Sequence, residues 1–217
     1  MKVIITGATG MVGEGVLMEC MENPKVSSIL YVGRRPSGKM HQKLTEYQIG
    51  DFFHLKKNDP KLSGYDACFY CAGTSSAGMN EKDYTLITLD TTLHFAKILL
   101  AQNPRMVFNF ISGANTDSSE KGKIMWARVK GKAENALMSL PFKAEYNFRP
   151  GLMKPTKSQT QLKGFNKYSS MLYPLLNLFL EGCSIQDIGK AMINAVVTGY
   201  NKKVLEVPDI KLLANRK

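Results

Sequence analysis

Apolar runs of strand length at residues 2–6, 28–33, 46–49, 67–72, 106–111 and 144–148 alternate with helical periodicity at 12–23, 81–102 and 121–139. This alternation predicts βαβ units and hence an α/β, doubly wound parallel sheet with helices on both faces, a Rossmann-type fold. Residues 36–43 are polar and contain glycine, so they read as a loop or a short helix. The pattern changes after Arg149-Pro150-Gly151, where polar residues 154–167 lead into a helix at about 168–180. Ser184-Ile185-Gln186-Asp187 then has the form of a helix start, because Ser184 can accept from the next turn and Asp187 suits the helix dipole. That helix is expected to run to about residue 198, with a last short strand at 204–207 on the sheet edge.

The first strand opens directly into Gly7-Ala8-Thr9-Gly10-Met11-Val12-Gly13. A strand, a glycine-rich turn and an amphipathic helix in that order present backbone N–H groups to a pyrophosphate. Gly7 suits the tight turn, Gly10 lets phosphates approach the backbone, and Gly13 lets helix and strand pack closely. The loop positions Gly7, Thr9, Gly10, Met11, Val12 and Gly13 are therefore expected to hold a dinucleotide.

In such sheets ligands sit at the carboxyl ends of the strands, so the residues just after each strand are the candidate site. The second strand ends in Val32-Gly33-Arg34-Arg35, where an NAD-specific site would place an acidic residue. Arg34 and Arg35 can instead bind a 2′-phosphate with charge-assisted donors, so NADP(H) is preferred over NAD(H); the alternative is a pair of solvated surface arginines. Asp51 after the third strand could accept from an adenine amino group or cap a turn. Cys71, Ala72, Gly73 and Thr74 end the fourth strand with small side chains against which a flat nucleotide can lie, and Thr74 could donate to it or bond its own turn. Ser112 ends the fifth strand, placed to hold a carbonyl oxygen. Trp126 and Lys130, four apart on a helix, share a face that is expected to look toward Ser112.

Composition narrows the class. The 217 residues suit one domain, 1–217, and the 44% hydrophobic content is that of a folded globular chain. The net charge of +11 could recruit a polyanion, but the lysines are scattered and no recognition motif accompanies them. This argues against nucleic acid and for a basic surface that attracts a phosphorylated cofactor. Cys68 and Cys71, three apart on a strand, should point to opposite faces, so Cys68-x-x-Cys71 reads as buried thiols rather than a redox pair. Cys20 and Cys183 complete no disulfide framework, and His41, His54 and His94 lack metal-ligand spacing, so no metal is expected. With no leader ahead of the first strand and no apolar stretch long enough to span a bilayer, a cytoplasmic protein is expected.

These residues together resemble the short-chain dehydrogenase/reductase superfamily, in its atypical branch, and are similar to its oxidoreductases of the HIV Tat-interacting-protein type. The resemblance runs from the glycine loop through Gly33-Arg34-Arg35, Cys71-Ala72-Gly73-Thr74, Ser112 and Lys130 to Arg149-Pro150-Gly151, and implies that Pro150 and Gly151 border the cofactor. It also implies catalytic roles for Ser112, which would polarise a substrate carbonyl, and for Lys130, which would hold the nicotinamide ribose and lower the pKa of a tyrosine one turn earlier. That position is Trp126, and no tyrosine in the chain is followed four residues later by lysine. An indole N–H donates a hydrogen bond but does not relay a proton. Residues 151–183 would cover the substrate, with Met153, Phe165, Met171, Leu172 and Tyr173 able to form an apolar pocket. Two functions fit: an NADP(H)-dependent oxidoreductase on a carbonyl or alcohol with another proton source, Tyr70 or Tyr84 being candidates, or a catalytically inactive NADP(H)-binding protein that controls a partner. A small-molecule substrate accompanies the first; a homodimer or a protein partner is compatible with both.

Overall fold

The computed structural model describes residues 1–156, 158–160 and 182–216. The main sheet is made of β1 (Lys2–Thr6), β2 (Ser28–Gly33), β3 (Leu44–Gln48), β4 (Ala67–Tyr70), β5 (Val107–Ile111), β6 (Ala144–Phe148) and β9 (Val204–Leu205). These seven strands are parallel and lie in the order β3-β2-β1-β4-β5-β6-β9, which is the strand order of a doubly wound Rossmann sheet with one more edge strand. A separate parallel pair, β7 (Leu152–Lys154) and β8 (Gly182–Ser184), joins the start and end of the 155–181 excursion.

The period-2 pattern sorts side chains to two cores, because successive Cβ atoms alternate across the sheet. Val3, Ile5, Ala67 and Phe69 pack on one face with α1 (Met11–Glu22), α5 (Ile185–Thr198) and α6 (Val207–Ala214). Ile4, Cys68, Tyr70, Phe108 and Phe110 pack on the other with α3 (Thr91–Gln102) and α4 (Met125–Met138). The Val, Ile and Phe side chains among them each contribute roughly 1.5–3 kcal/mol by leaving water, and both faces are covered, so the central strands read as nearly continuous apolar runs. Cys68 lies in the second core while Cys71 packs against the first, and all four cysteines are free thiols.

Several predicted boundaries move, each for a local reason. The third strand begins two residues earlier, at Leu44. The single helix expected at 81–102 is α2 (Glu81–Thr85), a π-helical turn (Leu86–Asp90) and α3 in succession. The helix expected from residue 121 starts at Met125, because Asp117 accepts from the backbone N–H of Ser119 at 3.0 Å and of Gly122 at 2.6 Å. Such side-chain bonds hold a loop where a helix would otherwise propagate. Residues 36–43 form a loop, and the last strand stops at Leu205 because Glu206 and Asp209 form a capping box for α6. Ser184 and Asp187 form the expected box at the start of α5. The helix expected at 168–180 lies outside the described residues.

Among the described residues no helix is long and apolar enough to cross a membrane, and no group of three or more His, Cys, Asp and Glu is placed to hold a metal.

Candidate functional site

The glycine turn is held by the chain around it. Thr6 Oγ1 accepts from the N–H groups of Cys71 at 3.2 Å and Ala72 at 3.1 Å, stitching the end of β1 to the end of β4. Gly7 has φ +72°, and a Cβ there would lie 2.5 Å from the Cys71 carbonyl carbon. Gly10 N–H donates to the Gly7 carbonyl at 2.9 Å, and a Cβ on Gly13 would lie 2.2 Å from that same carbonyl oxygen. No side chain caps α1 at Gly10, so the positive end of the helix dipole opens onto the cleft.

One acid lies in this first turn. Glu14 is fully buried, and its carboxylate meets Lys39 Nζ at 2.8 Å and accepts from Thr160 N–H at 2.9 Å. Gln159 Nε2 donates to the Met11 carbonyl, so residues 159–160 are fastened to α1 beside the loop.

Two adjoining cavities open at the carboxyl ends of the strands. The larger, of about 610 Å³, is bordered by Gly7, Thr9, Gly33, Arg34, Arg35 and Asp51. Arg34 and Arg35 are exposed and make no ion pair among the described residues, while the Arg35 carbonyl accepts from Tyr31 Oη at 2.9 Å. Asp51 caps a short 3₁₀ turn by accepting from Phe53 N–H at 3.0 Å, so its turn role is formed while one face still borders the cavity. Tyr70 also reaches this larger cavity, with its ring in the aromatic core. The smaller cavity, of about 380 Å³, is bordered by Met11, Val12, Gly13, Ser112 and Lys130. Gly10, Cys71, Ala72, Gly73 and Thr74 border both, so the two form one bent cleft.

Ser112 is buried, and its hydroxyl lies 2.9 Å from Thr116 Oγ1, which is itself 2.7 Å from the Gly113 carbonyl. Thr116 has a single hydroxyl proton. When that proton goes to Gly113, Ser112 donates to Thr116; when it goes to Ser112, the Ser112 proton can face the cleft. Lys130 Nζ donates to the Ser112 backbone carbonyl at 2.9 Å, tying α4 to the end of β5. Burial pulls the Lys130 ammonium down to about 8, against the opposing pull of Glu134. Trp126, one turn earlier on α4, is half-buried and borders neither cavity, whereas Lys130 borders the smaller one.

Pro150 and Gly151 also border neither cavity. They come directly after an anchoring point: Arg149 meets fully buried Glu134 of α4 through Nε at 2.9 Å and through Nη2, and meets Glu206 at 3.2 Å. The Pro150 carbonyl accepts from Ala114 N–H at 3.1 Å, and Phe148 accepts from Ser112 N–H at 2.8 Å. The motif thus holds the loop carrying Ser112. Met153 borders the smaller cavity; Phe165, Met171, Leu172 and Tyr173 lie outside the described residues.

Tyr84 and Thr88 are the additions that the sequence did not place. Both are buried and both border the smaller cavity with Ser112 and Lys130. Asn80 caps their helix by accepting from Asp83 N–H at 2.9 Å, and Glu81 pairs with Arg128 of α4 at 2.7 Å. The π turn after this helix start leaves no mark in the hydrophobic pattern.

The fold and this strand-end cleft are those of a Rossmann-type α/β protein. Within that class the chain is similar to Protein HTATIP2 of Rattus norvegicus, 27% identical over 155 residues, which are 70% of this chain and 62% of the rat protein. It is also similar to the mitochondrial protein fmp52 of Emericella nidulans, 27% identical over 214 residues, 94% of this chain and 90% of the fungal one. In fold it resembles UDP-glucuronic acid 4-epimerase from Bacillus cereus, solved in complex with NAD, with 13% identity, a TM-score of 0.67 and coverage of 95% of this chain and 76% of that one. No family model matches the chain.

Proposed function

We propose that this protein is an NADP(H)-dependent oxidoreductase acting on a carbonyl/alcohol pair. The observation that carries the reading is the single bent cleft, which has the glycine turn at its middle, Arg34 and Arg35 at one end, and Ser112 with Lys130 at the other. The residues fit a dinucleotide. Side chains at Gly7 and Gly13 would strike backbone, and the uncapped first turn of α1 offers N–H groups to a pyrophosphate. Glu14 does not oppose such an anion, because Lys39 and Thr160 already neutralise and bond it. The solved epimerase binds NAD; here the two arginines favour a 2′-phosphate.

Bound in this way, the nicotinamide nucleotide supplies the hydride. The chain supplies the rest. Lys130 holds the ribose end and keeps the Ser112 loop in place through its carbonyl. Ser112, supported by Thr116, offers a hydroxyl to a carbonyl oxygen that gains negative charge. Met153 borders the cleft beside Ser112 and Lys130, on the side where a substrate would lie. The protein acts in the cytoplasm, which imaging of a tagged chain against a mitochondrial marker tests, since the fmp52 relative is mitochondrial.

The test is nucleotide affinity and then turnover. NADPH is expected to bind at least about tenfold more tightly than NADH, a difference of about 1.4 kcal/mol. Equal affinity for both would overturn the NADP preference, and failure to bind either would overturn the cofactor reading. Nucleotide binding with no oxidation of NADPH against a carbonyl panel would leave the sensor function of an inactive relative as the better reading.

A further inference from the structure

We infer that Tyr84 is the proton donor at this site, standing on a different helix from the one that carries Lys130. The assignment rests on the proposed cofactor and extends it to the one acid–base function that Trp126 cannot perform. Three independent features place Tyr84 there. First, Tyr84 is 2% exposed yet borders the same cavity as Ser112 and Lys130. Second, Thr88, one turn along, also borders that cavity. Third, its helix is fixed relative to α4: Glu81 pairs with Arg128 at 2.7 Å, and Arg128 also donates to the Gly122 carbonyl at 2.6 Å.

The next turn is π-helical, over Leu86–Asp90. A π turn inserts one residue into the helical repeat and rotates the helix on its N-terminal side relative to the helix on its C-terminal side, and such insertions recur at functional sites. It lets the Tyr84 segment face the cleft while α3 keeps Phe95 and Leu99 in the core. Trp126 has neither property: it is outside the cavity, and its indole has no proton to transfer at accessible pH.

In the reduction direction a carbonyl carbon accepts hydride from a reduced nicotinamide, and the oxygen, taking the former π pair, accepts the phenol proton of Tyr84. The O–H bond of tyrosine breaks, the O–H bond of the alcohol forms, and the phenolate regains a proton from water by way of the Thr88 hydroxyl. Burial pushes the Tyr84 phenol above the usual tyrosine range, and Thr88 pulls it back, so the donor is fully protonated at neutral pH.

The test uses the whole chain carrying ζ-carbon-labelled tyrosine, with the Tyr84 resonance identified by its absence in Tyr84→Phe. Adding NADP+ is expected to move that resonance, and to move it more than NADPH does, because a positive pyridinium beside a phenol polarises it. Tyr84→Phe, which keeps the ring, is expected to retain NADPH affinity and melting temperature while NADPH-dependent reduction of 9,10-phenanthrenequinone and 4-nitrobenzaldehyde falls about a hundred- to ten-thousandfold in kcat. Thr88→Val should shift the same resonance and slow turnover less. If NADPH binds but the resonance is unmoved by either nucleotide, the Tyr84 assignment falls and the cofactor reading stands. If Tyr84→Phe keeps more than half of the wild-type rate, the assignment falls as well. If wild type binds no nucleotide, both fall.

Discussion

The two ends of the cleft are built from different materials. At the β1–β2 end the turn itself is backbone, Gly7 and Gly10 with Gly33 and the small residues after β4, and the side chains of Arg34, Arg35 and Asp51 stand around it. At the β5–α4 end the surface includes the side chains of Ser112, Lys130, Tyr84, Thr88 and Met153, contributed by four separate segments. A backbone surface tolerates few residue types and leaves a local sequence signature. A side-chain surface can be assembled from distant segments and can exchange one donor for another. A chain can therefore keep the signature of its class at one end while changing its chemistry at the other.

The sharpest test of that contrast is Gly13→Val. Its Cβ would meet a carbonyl oxygen at 2.2 Å that cannot move without dislodging the turn. Overpacking of this kind costs roughly 1–3 kcal/mol or more, so NADPH affinity measured by calorimetry should fall on the order of a hundredfold. Lys130→Ala should lower turnover by roughly a hundredfold with a smaller change in NADPH affinity. Its pH profile has a definite sign. The ammonium form prevails below about pH 8 and is lost as pH rises through it, so wild-type turnover should decline above that point.

Arg34→Ala combined with Arg35→Ala should weaken NADPH by about tenfold and leave NADH within about twofold, in parallel titrations. Equal losses for both nucleotides would show that the arginines act on shape rather than on the phosphate. A smaller effect is expected for Glu145→Gln under α4. Glu145 is buried, and burial together with nearby Glu134 pushes it up to about 8 although Lys203 and Asn147 pull it down. A carboxyl that holds its proton more tightly when folded stabilises the protein at low pH, and this contribution is lost as pH rises through about 8. Melting curves from pH 5 to 9 should therefore slope less in Glu145→Gln than in wild type.

The same division governs how much could be read in the sequence. The continuous apolar runs of β1 and β4 and the i, i+4 spacing of Trp126 and Lys130 are local, and they suffice to predict the parallel sheet and a shared helix face. The covering of a helix face is a tertiary matter, so the same spacing could not say that Lys130 would border the cavity and Trp126 would not. Tyr84 was a candidate that the sequence could not place, for a second reason. Periodicity over 81–102 fits one uninterrupted helix, and the inserted residue of a π turn changes which side chains face the cleft without altering composition. Arg149 illustrates a third: its partner Glu134 is fifteen residues away on another element, and only the fold brings them together.

The glycine turn has one more consequence. Its bends are imposed by covalent neighbours and by Thr6, whose oxygen receives two N–H groups from the end of β4. The loss of chain freedom needed to shape an anion cradle is therefore settled during folding, when β1 and β4 pair, and very little remains to be met when a ligand arrives. In kinetic terms the association step needs no rearrangement of this loop, so encounter should be limited by diffusion and charge, and a difference in affinity between nucleotides should appear in how long each one stays.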